Sequence, residues 1–349
     1  MKVAILALSV RGAMGQYLEA LLPPLSRYVD ITLFAPEHFQ GEVPVKVVRF
    51  RTGKSRLRAL MSLLNPLAAR RVWEAVRAES PDLLYVFNGE GYPWTLFFSR
   101  WAHKEGLPFV LTLHDPEPHP GNLWELANAF LRRIVIPKTK SVHVHAQVFV
   151  ESVRRMGARE VVMIPHGSLA ERFLRHVKEG VKREKDLVLF FGRLEPYKGV
   201  ETLVEAIIAL KGKKRVLIAG PGRMPTKLQK ALREHPGWFE VHNRYILDEE
   251  AALFLQRASI LVLPYRQATQ SSLPLIGAAF GLPVVASAVG AFVKDVPRVG
   301  GILVSPNDPK ALAEALMEAE LRCSPRFPPE LTFQALAEQF ASWLGKSSL

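Results

Sequence analysis

Leu187-Val-Leu-Phe-Phe191 is followed at once by Gly192-Arg193-Leu194-Glu195-Pro196-Tyr197-Lys198-Gly199, and then by Val200-Glu-Thr-Leu-Val-Glu-Ala-Ile-Ile-Ala209. The opening apolar run reads as a strand buried on both faces, and the stretch from Val200 has helical periodicity, so the octapeptide between them is a strand-to-helix turn. Open parallel sheets bind ligands beyond the carboxyl ends of their strands, which is where this puts Gly192, Arg193 and Lys198. Two cations beside the positive end of a helix suit adjacent phosphates. The plain alternative is a pair of solvated loop cations.

Short apolar runs alternate with longer amphipathic stretches on either side of that turn, the pattern of an α/β chain with parallel sheets covered by helices. Strands are expected near 2–8, 29–35, 45–50, 82–87, 108–113, 141–145 and 160–164 in the first half. In the second half they fall near 187–191, 214–219, 238–241, 259–263, 283–286 and 301–304. Helical spacing is clearest at 15–27, 66–79, 122–135, 199–210, 248–257 and 308–320.

A chain of 349 residues exceeds the usual size of one compact domain. Pro165-His166-Gly167 and the charged stretch from Arg172 to Lys185 read as the seam. The expected division is 1–170, 171–330 and a last amphipathic helix within 331–349 that packs back on the first domain. No apolar run is long enough to span a bilayer, and Lys2 to Leu8 reads as a buried first strand rather than a secretory leader. A single cysteine, Cys323, excludes an internal disulfide and fits a reducing cytoplasm.

The formal charge is +13, and residues 43–73 hold Lys46, Arg49, Arg51, Lys54, Arg56, Arg58, Arg70 and Arg71 with no acid. Leucines interleave with these cations, a mixture that suits an anionic membrane surface through residues 46–71 or, equally, an ordinary helix covering the sheet. The first option gives a peripheral position on the inner face of the membrane. Nucleic acid is disfavoured as a partner because the cations lack interleaved aromatics for base stacking.

Other loops carry weaker signals. Gly220-Pro221-Gly222 follows the next strand, where small residues let backbone approach a ligand or simply turn the chain. Ser9-Val10-Arg11-Gly12-Ala13-Met14-Gly15 resembles a phosphate or acceptor loop through Gly12 and Gly15, but lacks a full dinucleotide or P-loop pattern. His114-Asp115-Pro116-Glu117-Pro118-His119 follows a strand and places imidazoles and carboxylates at a carboxyl end. A metal site there is disfavoured, since the prolines break any helical register.

The octapeptide, the turn at Gly220, Leu263-Pro264-Tyr265, Gly281-Leu-Pro-Val-Val-Ala-Ser287 and Gly301-Ile-Leu-Val-Ser-Pro-Asn-Asp308, in that order, resemble glycosyltransferase family 4. The resemblance is dense over 187–310 and sparser over 1–180. It implies the GT-B fold, two Rossmann-like domains facing across a cleft, and retaining transfer of a sugar from a nucleotide diphosphate sugar without a metal or other cofactor. By position it makes Arg193 and Lys198 the basic pair on the diphosphate, His114 a histidine near the donor sugar, and Tyr245-Ile246 the segment beside the base.

One departure stands out. The two glutamates that the family usually carries before Gly-x-Pro-Val-Val-Ala fall at Ala268 and Ile276. In their place Gln270, Ser271 and Ser272 offer neutral hydrogen bonds to ribose or phosphate, or merely open a helix. Asp115 and His114 are the expected catalytic residues, with a glycan or lipid-linked acceptor. The alternatives are a nucleotide-sugar epimerase of the same fold and a non-catalytic nucleotide-sugar-binding scaffold.

Overall fold

The computed structural model describes residues 1–10, 12–52, 62, 64–88, 93–114, 123–268 and 271–349, with backbone alone over 123–127. The chain divides into two compact units, Met1–Gly167 with Glu330–Leu349, and Ser168–Pro329.

In the first unit the strands are β1 (Lys2–Ala7), β2 (Asp30–Pro36), β3 (Lys46–Phe50), β4 (Leu83–Asn88), β5 (Phe109–Leu113), β6 (Ser141–Val144) and β7 (Val161–Met163). They form one parallel sheet in the order β3-β2-β1-β4-β5-β6-β7. Helices α1 (Ala13–Leu25), α2 (Pro66–Ala78), α3 (Pro93–Glu105), α4 (Leu123–Val135) and α5 (Val150–Arg155) supply the crossovers. The central strands β4 and β5 are buried along their whole length, and β1 from Val3 onward, because helices cover both faces, which is why they read as largely apolar runs.

The second unit holds β8 (Leu187–Phe191), β9 (Arg215–Ala219), β10 (Phe239–His242), β11 (Ile260–Leu263), β12 (Val284–Ser287) and β13 (Ile302–Val304). Their order is β10-β9-β8-β11-β12-β13, again parallel. Its helices are α6 (Ala170–Leu174), α7 (Val200–Ala209), α8 (Thr226–Glu234), α9 (Asp248–Arg257), α10 (Leu273–Ala279), α11 (Phe292–Arg298) and α12 (Pro309–Arg322). Both sheets are doubly wound: the chain walks outward from the first strand, then returns to its other side, leaving a switch point at β1/β4 and another at β8/β11.

The last helix, α13 (Phe333–Ser348), belongs to the first unit. Thr332 caps it through a hydrogen bond from the Ala335 N–H, and its apolar stripe buries Phe333, Leu336, Phe340, Trp343 and Leu344. Phe333 meets Tyr17 of α1 at 4.8 Å between ring centroids, and Trp343 Nε1 donates to Ser141 Oγ at 2.7 Å.

Candidate active site

The β8 turn lies at the β8/β11 switch point, and three ties bind it to the segment after β11. Lys198 Nζ donates to the Tyr265 hydroxyl at 2.6 Å. The Arg266 N–H donates to the Tyr197 carbonyl at 2.7 Å. Gly199 adopts φ 68° and packs so closely on Pro264 that a β-carbon would stand 1.8 Å from the Pro264 carbonyl oxygen. Only glycine satisfies both demands.

Lys198 is largely buried, over the Tyr265 ring at 3.9 Å from its centroid. Burial, reinforced by the neighbouring Arg193 charge, lowers its pKa to about 7, with Glu195 opposing the shift. Burial likewise holds the Tyr265 phenol above its ordinary range, against a hydrogen bond from Ser271. Arg193 differs: its side chain is 66% exposed and pairs with Glu195 at 3.4 Å. The two cations of the motif are therefore a desolvated amine and a solvated guanidinium.

Gly192, Gly220 and Gly222 serve to join loops. A β-carbon at Gly220 would meet the Gly192 carbonyl oxygen at 2.2 Å, and one at Gly222 would meet Leu194 at 2.8 Å. Gly192 N–H donates to Ala219 O and Leu194 N–H to Pro221 O, both at 2.9 Å, so the turns after β8 and β9 form one ledge. Tyr245 is 63% exposed while Ile246 is buried in the core. Arg244 beside them is paired with Glu250.

Ala268 and Ile276 are the residues that the sequence resemblance sets where glutamates are usual. Ile276 is a buried residue of α10, and the Ala268 carbonyl is closed in by Gly290. Ser271 accepts the Leu273 N–H at 3.3 Å and hydrogen-bonds the Tyr265 phenol, so it both opens α10 and touches the Lys198 cluster. Ser272 precedes α10 without a side-chain cap. Gln270 lies outside the described residues, as do Asp115, Glu117 and Arg11.

At the first unit's switch point, Asn88 of β4 fastens the loop after β1: its Oδ1 accepts N–H groups from Leu8 at 2.9 Å and Ser9 at 3.0 Å, and its amide donates to Ser9 O. Gly12 stands before α1 with φ 60°, and Gly15 packs on Val10, whose carbonyl oxygen would lie 2.6 Å from an added β-carbon.

His114, just after β5, donates through Nε2 to the Phe87 carbonyl at 3.0 Å, and its Nδ1 lies 3.0 Å from His145 Nε2. His145 Nδ1 donates to Ile164 O at 3.3 Å. With both outer nitrogens bonded to carbonyls, the central nitrogen pair is one proton short while both rings are neutral. Behind it Tyr85, Thr112 and His143 form a buried chain, 2.7 Å and 2.9 Å per step, and His143 Nε2 donates to Ile164 O at 2.9 Å. Burial pulls the His145 pKa well down and that of His143 to about 3. Tyr17 is wholly buried against the rings of His114, His145 and His166, and its hydroxyl meets no hydrogen-bond partner among the described residues. Among the described residues no cluster of three or more His, Cys, Asp or Glu is arranged to hold a metal.

Asn88, Tyr265, His143 and His145 escape sequence reasoning because each acts on a residue far along the chain. Only position at a strand end could have flagged them.

Two doubly wound parallel sheets, one with a cation pair at its switch point, define the GT-B class of nucleotide-dependent α/β enzymes. Solved structures with that architecture superpose over the whole chain: HepE of Anabaena in complex with UDP has a TM-score of 0.71 at 16% identity, covering 99% of this chain and 95% of its own. The UDP-GlcNAc 2-epimerase of Methanocaldococcus jannaschii has a TM-score of 0.65 at 12% identity, covering 99% and 100%. Residues 12–167 match the model described as glycosyl transferase 4-like domain, and residues 185–319 match that of glycosyl transferases group 1. The chain belongs to this family and is a GT4-type glycosyltransferase. TuaC of Bacillus subtilis, a glycosyltransferase assigned to teichuronic acid biosynthesis, is 25% identical over 346 residues, covering 89% of this chain and 86% of the relative.

Proposed function

We propose that this glycosyltransferase takes a sugar from a nucleoside diphosphate sugar and passes it, with retention of configuration, to a glycan or lipid-linked acceptor in the assembly of a cell-envelope polysaccharide. The observation that carries the reading is the buried Lys198, held by Tyr265 across the β8/β11 switch point with Arg193 beside it. In a retaining transfer the difficult charge is that of the departing diphosphate, and a desolvated ammonium stabilises it better than a solvated one. Lys198 and Arg193 supply that positive charge without a metal or other cofactor. The turns at Gly192, Gly220 and Gly222 form the ledge beneath the diphosphate, Tyr245 and Ile246 flank the base, and Ser271, Ser272 and Gln270 take over hydrogen bonding to ribose or phosphate. His114 and Asp115 act at the sugar, and Gly12 and Gly15 belong to the acceptor side. HepE, crystallised with UDP and with UDP-glucose, and TuaC, in teichuronic acid synthesis, support the donor type and the acceptor setting.

A basic stretch on the first unit, Lys46 to Arg71, supports contact with the inner membrane face; its Lys54, Arg56 and Arg58 lie outside the described residues. No helix among the described residues is long and apolar enough to cross a membrane.

The test is a panel of nucleoside diphosphate sugars incubated with the enzyme and candidate acceptors, with the product anomer read by NMR and a chelator included in one arm. Net inversion would overturn retention, and a chelator-sensitive rate would overturn the metal-free reading. Release of an epimerised nucleotide sugar in the absence of acceptor would establish the epimerase alternative. Lys198→Ala should weaken UDP binding by a hundredfold or more and Arg193→Ala by about tenfold, reflecting roughly 3 and 1.4 kcal/mol for a buried and an exposed charge contact. A double variant that still binds UDP like the parent would overturn the donor site.

A further inference from the structure

Between the β3 edge of the first unit's sheet and α2 lies a cavity of about 280 Å³. Val48 of β3 with Ala68 and Ala75 of α2 give it a partly exposed apolar lining, over Phe34, Phe50 and Trp94 buried beneath, and Arg49, Arg51 and Arg71 line it as well. Those three guanidinium groups are exposed and have no ion-pair partner among the described residues. The contrast with their neighbours is sharp: Lys46 pairs with Glu79 at 2.6 Å, Arg70 with Glu74 at 3.0 Å and Arg77 with Glu105 at 2.7 Å. Of the described cations between Lys46 and Arg77, the ones left uncompensated are those lining the cavity. At the head of α2, Leu64 and Leu67 stand 51% and 72% exposed, an unusual outlay of large apolar side chains beside unpaired charge.

Unpaired guanidinium groups select phosphate, and an apolar lining selects hydrocarbon. A ligand needing both is an anionic amphiphile. The volume sits just below the range of about 300–1,000 Å³ typical of pockets that engulf a small ligand, so the cavity accepts one end of a longer molecule. Single-stranded nucleic acid fits poorly, because Trp94 and Phe50 are buried and offer no face for stacking. We propose that this cavity receives the phosphate-bearing end of a single-chain lipid, the carrier of a lipid-linked acceptor. The proposal rests on the acceptor reading above but is independent of the donor site in the second unit.

The experiment titrates the full-length protein, held in saturating UDP, with farnesyl diphosphate and follows tryptophan fluorescence and heat. Farnesyl diphosphate should bind saturably, with inorganic pyrophosphate and farnesol each at least tenfold weaker. Arg49→Gln, Arg51→Gln and Arg71→Gln combined should weaken farnesyl diphosphate at least tenfold while leaving the unfolding temperature and UDP affinity in place. Should the triple variant prove less stable, Arg71→Gln alone should still lose affinity severalfold. Equal binding of pyrophosphate would make this a bare anion site, and equal binding of farnesol an apolar crevice; either overturns the proposal, as does an unaltered affinity in the arginine variants. Loss of UDP binding by the parent protein strikes the donor reading and leaves this one standing.

Discussion

Lys198 illustrates how a single side chain can be tuned by what surrounds it. With a pKa near 7, the free amine is charged below that pH and increasingly neutral above it. Diphosphate binding requires the charged form, so UDP affinity should be greatest below pH 7 and fall by about tenfold per unit on the alkaline side. Calorimetry from pH 6 to 9 checks this, and a flat profile above pH 7 would show that the amine stays protonated. The imidazoles of the first unit carry the opposite liability. His143 and His145 are kept neutral by burial, so their stabilising contribution is present above the ordinary histidine pKa and is lost as pH falls toward their depressed native values. Below about pH 6.5 each should cost the first unit about 1.4 kcal/mol per pH unit, seen as an acid-side drop in its unfolding temperature. His143→Gln, which removes one titrating group, should flatten that drop.

Among the elements, the turn between β8 and α7 shows what the sheet asks of its loops. Gly199→Ala forces an L side chain to φ 68° and drives a β-carbon into the Pro264 carbonyl, a loss of about 3 kcal/mol or more. Gly281→Ala has a similar φ, 65°, but open space, and should lose only about 1 kcal/mol. Denaturant unfolding of the two variants separates crowding from backbone strain; equal losses would refute the close packing of the β8 and β11 turns. These elements were largely legible in the sequence, since every expected strand appears within two residues of its place and β8 falls at Leu187–Phe191 as read. Periodicity served there because buried parallel strands are almost uniformly apolar. Helices α5, α6, α8, α10 and α11 did not stand out, their patterns being brief, polar or interrupted by Pro297, nor did α3, whose apolar residues run together as Leu96-Phe97-Phe98 rather than at clean helical spacing. Of the site, the cations on the β8 turn were legible and their differing burial was not, because burial is decided by Tyr265, 67 residues away. The glycines at 220 and 222 read as room for a ligand or as a simple turn; that they also let two turns interlock was not legible, because the partners Gly192 and Leu194 lie on another loop.

On the scale of the whole molecule, the first unit is built from two separated pieces of chain. Deleting residues 333–349 removes Phe333, Leu336, Phe340, Trp343 and Leu344 from its core. At roughly 1.5–3 kcal/mol each, these match the entire stability of an ordinary domain. The truncated protein should therefore show the first unit degraded by protease while a fragment spanning about residues 168–329 survives. A resistant first unit would mean that α13 is dispensable. Each unit also has its own switch point, one fastened by Asn88 and the other by Tyr265 with Lys198, so each is organised around the outer ends of its central strands.

The position of α13 also sets a timetable. A ribosome delivers Ser168–Pro329 before it delivers Phe333–Ser348, so the second unit can close while the first still waits for its final helix, the reverse of the usual amino-to-carboxyl order of domain completion. Until then Tyr17, Tyr85 and His143, which that helix covers, face the surroundings of a nascent chain, making the newly made enzyme most dependent on chaperone protection at the end that was synthesised first.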